Sequence, residues 1–452
     1  MPSEPPAPTP SSPSPGPLDR LLRLFSDVRP GEGTTAVLLL VNLFLLLVGY
    51  YILKTVREPL ILTLGGAELK TYAAAGQALT LIGFVPLYGW LASRVARLKL
   101  IVFVMLFFII NIELFYLGGQ VGVPYLGFIF YIWVGVFSLA SIAQFWAYAN
   151  DLYSKPVGDR LFPIIAIGAT AGSPVGSWVC KKLFEAGMDA YTILHVTVAI
   201  LVAHLLLYPL VDRREAGRGG QARAAAQTTL GGPGGFSLVL ASPYLRLIAL
   251  LLILLNTVNT TGEYIISRLV VGQATAAAAA DPTISPSAFI GSFYGGYFFW
   301  ANVAAVLIQA FLVSRIVKYL GIAGVILALP AVSLGAYSVI ALGASFAVAR
   351  WVKTAENATD YSVMNTGRQL LWLPTRREEK YKAKQAADTF FVRTGDLFSA
   401  GIVYVGTTWL ALEVPGFALS NVVLTVAWLA VAFLLLREHR RVVARAAKAE
   451  AA

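Results

Sequence analysis

Apolar runs about as long as a bilayer is thick, roughly 20 residues each, dominate the chain. They alternate with short polar intervals. Runs of that length lie near residues 35–57, 70–92, 99–118, 125–149, 162–183, 191–211, 243–266, 287–313, 319–343, 345–372, 387–409 and 416–436. The pattern predicts twelve membrane-spanning helices. The tenth and eleventh runs are interrupted by charges. The one long interval, 212–242, is rich in Gly, Ala and Arg and reads as a flexible linker. The expected organisation is a disordered tail over 1–34, a six-helix bundle over 35–212, a linker over 213–242, a second six-helix bundle over 243–436 and a basic tail over 437–452. Residues 2–18 are almost only Pro, Ser, Ala, Gly and Thr. No basic segment followed by a short apolar one opens the chain, so no cleavable signal peptide is expected.

Composition sharpens this. Of 452 residues, 57% are hydrophobic and 13% charged, against about 45–50% and about 25% in soluble domains. A soluble enzyme is excluded, and a single cysteine, Cys180, excludes a disulfide scaffold. The net charge of +11 suggests nucleic acid only until the loops are compared. With the N-terminus inside, inside segments hold 24 of the 35 Lys and Arg, and outside loops with their edges hold six: Lys54, Arg57, Lys70, Lys181, Lys182 and Arg268. That bias predicts both termini in the cytoplasm and no nucleic-acid partner. Six spans on each side of a basic loop, with "GWLASRVARLK" after the second, suit a major-facilitator-like all-α fold, in which solute binds between the halves at mid-membrane. No phosphate-binding loop of the G-x-x-x-x-G-K-[ST] type occurs, so no built-in ATPase motor is expected. Neither a metal nor a cofactor is expected.

Charges inside spanning helices are costly and usually face a cavity. In "GYYILKTVREPL", Tyr50, Lys54 and Arg57 share one helical face. Two cations and a ring suit a phosphorylated or carboxylated ligand. The plainer reading is snorkelling at the end of span one, with Lys54–Glu58 as a local pair. In span ten Arg350, Lys353, Asn357, Asp360, Met364 and Arg368 recur every three or four residues, with Glu356 beside them. Such a stripe lines a water-filled path or pairs with itself through Lys353–Glu356. Arg368 has no partner at helical spacing, which makes it a ligand candidate. Arg393 and Asp396 in span eleven read as a closed ion pair, a gate or a phosphate contact. Glu113, Glu263, Asn150 and Asp151 are further polar points, with Asp151 and Arg160 as candidate gate groups. His204 reads as a satisfied histidine or a proton relay. The small residues of Ile167–Ser177 permit close helix approach.

Three motifs carry a family likeness. "YSVMNTGRQLLWLPTRREEKYKAKQAADTFFVRTG" (361–395), "FWAYAND" and "LKTVREPLIL" resemble segments of the ATP:ADP antiporters of plastids and intracellular bacteria, with Tyr361, Ser362, Pro374, Asp388, Arg393 and Gly395 matching. The resemblance implies nucleotide transport. It places Arg57 and Arg368 where the family carries phosphate-holding lysines, and Asn150 at a family asparagine. Departures change the charge. An apolar residue near Val134 and Asn259 stand for glutamates, Glu263 and Asp396 for lysines, and Asn365-Thr366 for Asp-Pro. The implied cavity is less cationic than the family's.

The expectation is therefore a transporter in a bacterial inner membrane, exchanging ATP with ADP or a related nucleotide by alternating access. A single copy is the expected working unit, with the lipid bilayer and an anionic solute as its partners. Arg57 and Arg368 would clamp phosphates, helped by Lys54, Lys353, Arg393 and Asn150, while Tyr50 or Tyr51 stacks a base. Glu263, Asp360, Asp396 and Asp151 are the coupling or gating candidates. Two alternatives stay open: a proton-coupled carrier of another organic anion, and a non-transporting sensor or scaffold.

Overall fold

The computed structural model describes residues 16–216 and 234–451, except 24, 25, 93 and 377. Those residues fold into helices and short connections. In chain order they are α1 (Pro17–Leu22), α2 (Glu32–Ala92), α3 (Arg97–Gln120), α4 (Leu126–Leu152), α5 (Lys155–Glu185), α6 (Thr192–Ala216), α7 (Gly235–Ala241), α8 (Pro243–Ala280), α9 (Pro286–Ile308), α10 (Ser314–Ala341), α11 (Phe346–Thr359), α12 (Asn365–Leu371), α13 (Lys384–Ala386), α14 (Val392–Thr408) and α15 (Val414–Ala451).

Among the described residues eight helical segments are long and apolar enough to span a bilayer. Two of them bend back on themselves at glycines. In α2 the backbone leaves helical geometry at Gly65 and Gly66, where Gly66 has φ +68°. In the continuous segment Pro286–Ala341 the bend is at Gly321, with φ +62°. A side chain is disfavoured in both places. Each bend makes two crossings from one segment. Charge keeps the tenth (α11–α12) and eleventh (α13–α14) crossings out of the eight, and with them the described residues make twelve crossings. This is the major-facilitator-like all-α architecture expected, in a multi-pass membrane protein.

Turns alternate between two sides. The end of α6 and the start of α7 lie on one, called the linker side below. The bend at Gly65–Gly66 and the turns before α4, α6, α9 and α15 lie on the opposite side.

Several boundaries differ from the sequence reading. The first crossing stays helical past residue 57 up to Gly65, so Glu58–Leu64 is helix and not loop. Within the expected disordered tail, α1 forms and is anchored by Leu22 and Val28, which pack with Ala36, Leu161 and Ile164. Apolar burial against α2 and α5 supplies the order that local composition lacks. Residues 213–216 extend α6, and 235–241 form α7. The remainder of the expected linker lies outside the described residues. The basic tail continues α15 as helix to Ala451.

Packing inside the first half depends on small residues. Gly168, Gly172 and Gly176 form a four-residue stripe on α5. A Cβ on them would come within 2.2, 2.6 and 2.5 Å of the Leu40, Phe44 and Val48 carbonyl oxygens of α2. Only glycine lets the two backbones touch.

The halves meet on the opposite side. The apolar core of the first half takes in Ile266, Val270, Ala274, Ile290, Phe293, Tyr294, Tyr297 and Phe298 from α8 and α9. The second half's core takes in Ala67 from beside the α2 bend. Gly291 and Gly295 of α9 admit α5 closely, since a Cβ at Gly295 would stand 2.9 Å from the Lys181 nitrogen. Among the described residues no apolar cluster joins the halves at the linker side.

Candidate functional site

Inside that clasp lies a cavity of about 360 Å³ with walls from both halves. The first crossing supplies Tyr50, Lys54 and Arg57, the second Lys70 and Gln77, and α4 supplies Tyr131 and Ser138. From the second half come Asn256, Asn259, Thr260, Glu263 and Tyr264 of α8, Tyr361, and Arg393 and Asp396 of α14. Four cations and two carboxylates line it.

The i, i+4, i+7 spacing places Tyr50, Lys54 and Arg57 on this wall, as the sequence suggested. The local Lys54–Glu58 pair does not form. Glu58 is fully buried, where it accepts from Arg57 Nε at 3.0 Å and lies 2.7 Å from Lys70 Nζ. Lys54 has no carboxylate within 4.0 Å among the described residues. Its ammonium rests over the rings of Phe298 (4.4 Å), Tyr51 (5.1 Å) and Tyr361 (5.6 Å), and donates to Tyr361 Oη at 3.4 Å. Arg57 stacks on Tyr131 with its guanidinium carbon 4.3 Å from the ring centre. Aromatic faces attract a cation without neutralising it, so Lys54 keeps its charge for an anion, while Arg57 shares the Glu58 carboxylate with Lys70.

Lys70 connects the halves. Its Nζ donates to Ser267 Oγ at 2.9 Å and Tyr294 Oη at 3.2 Å, and stands 3.5 Å from Glu263 Oε2. Glu263 also accepts from Tyr297 Oη at 3.1 Å and from Asn357 Nδ2 at 3.2 Å, with Lys353 at 3.8 Å. Lys353 is buried behind the wall. It pairs with Glu356 at 2.7 Å and donates to Asn259 Oδ1 at 2.9 Å. Ser333 and Tyr337 donate to Glu356 and complete its shell. A single chain of alternating charge thus runs Arg57–Glu58–Lys70–Glu263–Lys353–Glu356. Such pairs persist in a low-dielectric interior only when each member has a partner.

Arg393 and Asp396 form the i, i+3 pair expected, at 3.2 Å. Asp396 further accepts from Asn256 Nδ2 and Thr260 Oγ1, each at 2.7 Å.

Other candidates stand elsewhere. Arg368 is outside the cavity lining. Its partner is Asp388 on the next crossing, at 2.9 Å, which helical spacing could not reveal. Asp360 begins a π-helical turn, Asp360–Met364, that separates α11 from α12. The turn carries Tyr361 into the cavity wall, while Asp360 is not part of that wall. π-turns often mark functional positions. Asn150 is exposed at the linker-side end of α4. Asp151 pairs with Arg97, and Arg160 with Glu32 at 2.9 Å; both ties stay within the first half. His204 is fully buried, with Nδ1 3.0 Å from the Asn42 carbonyl oxygen, while Asn42 Nδ2 donates to the His204 carbonyl. It holds α6 to α2. Glu113 lies 3.1 Å from His195 Nδ1, away from the cavity.

Sequence reasoning gave no site role to Lys70 or to the wall tyrosines Tyr131 and Tyr264, and it paired Glu58 with Lys54. Lys70 stands in it at the outside edge of the second run. The available signal was "GGAELKTY", where two glycines can turn the chain and return the lysine to the membrane.

No family model matches the sequence, and no curated protein matches it. Solved structures do match in shape. A nucleoside transporter, NupG, superposes with TM-score 0.64 at 14% identity, over 89% of this chain and 98% of its own. A peptide transporter, POT, in complex with sulfate gives 0.63 at 11% identity, over 90% and 95%. A bacterial homologue of the iron transporter ferroportin, in an inward-facing state, gives 0.62 at 15%, over 87% and 98%. At these identities the likeness establishes the major-facilitator-like fold.

Proposed function

We propose that the protein transports phosphorylated anions, nucleotides foremost, by alternating access of its two halves, in an exchange of the ATP/ADP kind. The observation that carries this reading is the cavity wall. Lys54 and Arg57 present charge held by rings, with Lys70 beside them and Arg393 opposite. Its volume lies in the range of about 300–1,000 Å³ usual for small-molecule sites. Each charge-assisted contact to phosphate contributes about 1.5–3 kcal/mol. Tyr50, Tyr131, Tyr264 and Tyr361 offer faces for a base.

The clasp on the opposite side, together with the Lys and Arg bias, supports a molecule open toward the cytoplasm with both termini there. Arg368, held by Asp388, is assigned to an incoming phosphate that displaces Asp388. Asn150 at the linker-side rim belongs to the same entry route, and Asp151 with Arg97 braces it. Lys353 acts through Asn259 and Glu263.

The second reading, a proton-coupled carrier of another organic anion, draws on Glu263 and Asp396 in the wall, with Asp360 nearby. A sensor or scaffold on this fold predicts no flux of any solute. Uptake of labelled ATP into proteoliposomes, with and without ADP trapped inside, separates them. Uptake that requires trapped ADP is expected. Absence of ATP uptake in both arms, with folded protein, overturns the nucleotide reading and directs attention to anions under a pH gradient.

A further inference from the structure

A second and larger hollow, about 720 Å³, lies on the opposite side, beyond the clasp. The end of α5 supplies Lys181, Phe184 and Glu185, the start of α9 supplies Ser292 and Phe293, and α11 supplies Arg350. Both halves therefore build it.

Its charges are unevenly satisfied. Glu185 is held by Lys181 at 3.3 Å and Lys182 at 2.7 Å. Asp189, also in the wall, accepts from the Tyr191 and Thr192 backbone nitrogens at 2.9 and 3.1 Å. Arg350 has no carboxylate within 4.0 Å among the described residues. Its Nε is buried without a hydrogen-bond partner, and its guanidinium carbon stands 5.4 Å from the Phe293 ring centre and 5.5 Å from that of Trp351. A half-buried guanidinium with an unused donor calls for an acceptor.

A run of rings connects Arg350 to Lys54. Phe293 stacks on Tyr297 at 5.9 Å, and Tyr297 contacts Phe298 at 5.5 Å. Phe298 carries the Lys54 ammonium 4.4 Å from its ring centre. Two cations without a carboxylate within 4.0 Å among the described residues thus stand at the two ends of an aromatic run.

We infer that the hollow around Arg350 and Lys181 is a second anion site, which captures a phosphate group on the side opposite the linker before the clasp opens. Its role in transport rests on the function proposed above; its occupancy does not. Bidentate guanidinium geometry suits phosphate. The phosphate belongs either to a soluble solute or to a lipid headgroup.

The test uses the full chain with Cys180→Ala and Ser292→Cys, purified in detergent. Labelling rates with an anionic sulfonatoethyl and a cationic trimethylammonioethyl methanethiosulfonate are compared, normalised to free cysteine. The expected anionic preference is about tenfold, because Arg350 is the wall cation without a carboxylate partner among the described residues and draws anions to it. Arg350→Gln should abolish it and Arg350→Lys should restore it. Pyrophosphate should slow labelling in the parent and not in Arg350→Gln. Equal rates for both reagents, with no protection by pyrophosphate, would overturn the site. Protection by added phosphatidylglycerol alone would overturn the capture role and leave a headgroup site. ATP uptake plays no part in these readings, so failure of the transport proposal stays distinguishable.

Discussion

The two halves bring unlike electrostatics to the central cavity. The second half is settled within itself: Lys353 is matched by Glu356, Arg393 by Asp396, and the surplus oxygens accept from Ser333, Tyr337, Asn256 and Thr260. The first half is not. Arg57 and Lys70 share one buried carboxylate, Glu58, Lys70 reaches across to Glu263 for the rest, and Lys54 rests on aromatic rings without a carboxylate among the described residues. An excess of buried positive charge on one half is tolerable only while something negative faces it. In the closed clasp that is Glu263. On the transport reading proposed above, a phosphate in the cavity would compete with Glu263 for Lys70, and binding would be linked to release of the clasp through that ion pair.

The contrast can be broken from either side. The largest effect is expected in the settled half. Glu356→Gln removes the near carboxylate of the buried Lys353 and leaves it Glu263 at 3.8 Å, which should cost about 3 kcal/mol of stability, read as a lowered unfolding midpoint in detergent. Replacing both with methionine should recover most of it. In the unsettled half, Lys54→Gln with Arg57→Gln should lower nucleotide uptake by more than about 100-fold, through loss of two contacts of about 1.5–3 kcal/mol each, without loss of membrane abundance. Lys70→Glu should abolish exchange by setting like charges at the link. The swapped pair Lys70→Glu with Glu263→Lys should restore part of it, a coupling that a double-mutant cycle measures. The smallest effect is expected at the rim. Arg368→Ala should raise the KM for nucleotide on the linker side about tenfold, one lost charge-assisted contact, and Asp388→Asn should lower it.

Much of the fold was legible because bilayer thickness writes itself into sequence as run length. Crossings ten and eleven were the hard ones. Their charges serve the interior, and π-turns at Asp360–Met364 and Ala387–Phe391 shift their faces out of simple helical register. At the site, regular spacing sufficed for Tyr50, Lys54 and Arg57, and for the i, i+3 pairs Lys353–Glu356 and Arg393–Asp396. It failed wherever a partner comes from another crossing. Arg368–Asp388, Lys70–Glu263 and Lys54–Tyr361 are separated by 20, 193 and 307 residues, and no local pattern records them. Lys70 drew no role because a run-length reading treats charges at the edge of a run as loop or interface. The chain here continues as helix through Arg57 and Glu58 and turns only at Gly65–Gly66.

The most direct measurement is equilibrium binding of ATP to the purified protein and to the Lys54→Gln, Arg57→Gln double variant. A cavity whose first half supplies the anion-holding charge predicts one saturable site, weakened at least about 100-fold in the variant. Equal affinity in both proteins, or no ATP binding to the parent while it remains folded, contradicts it.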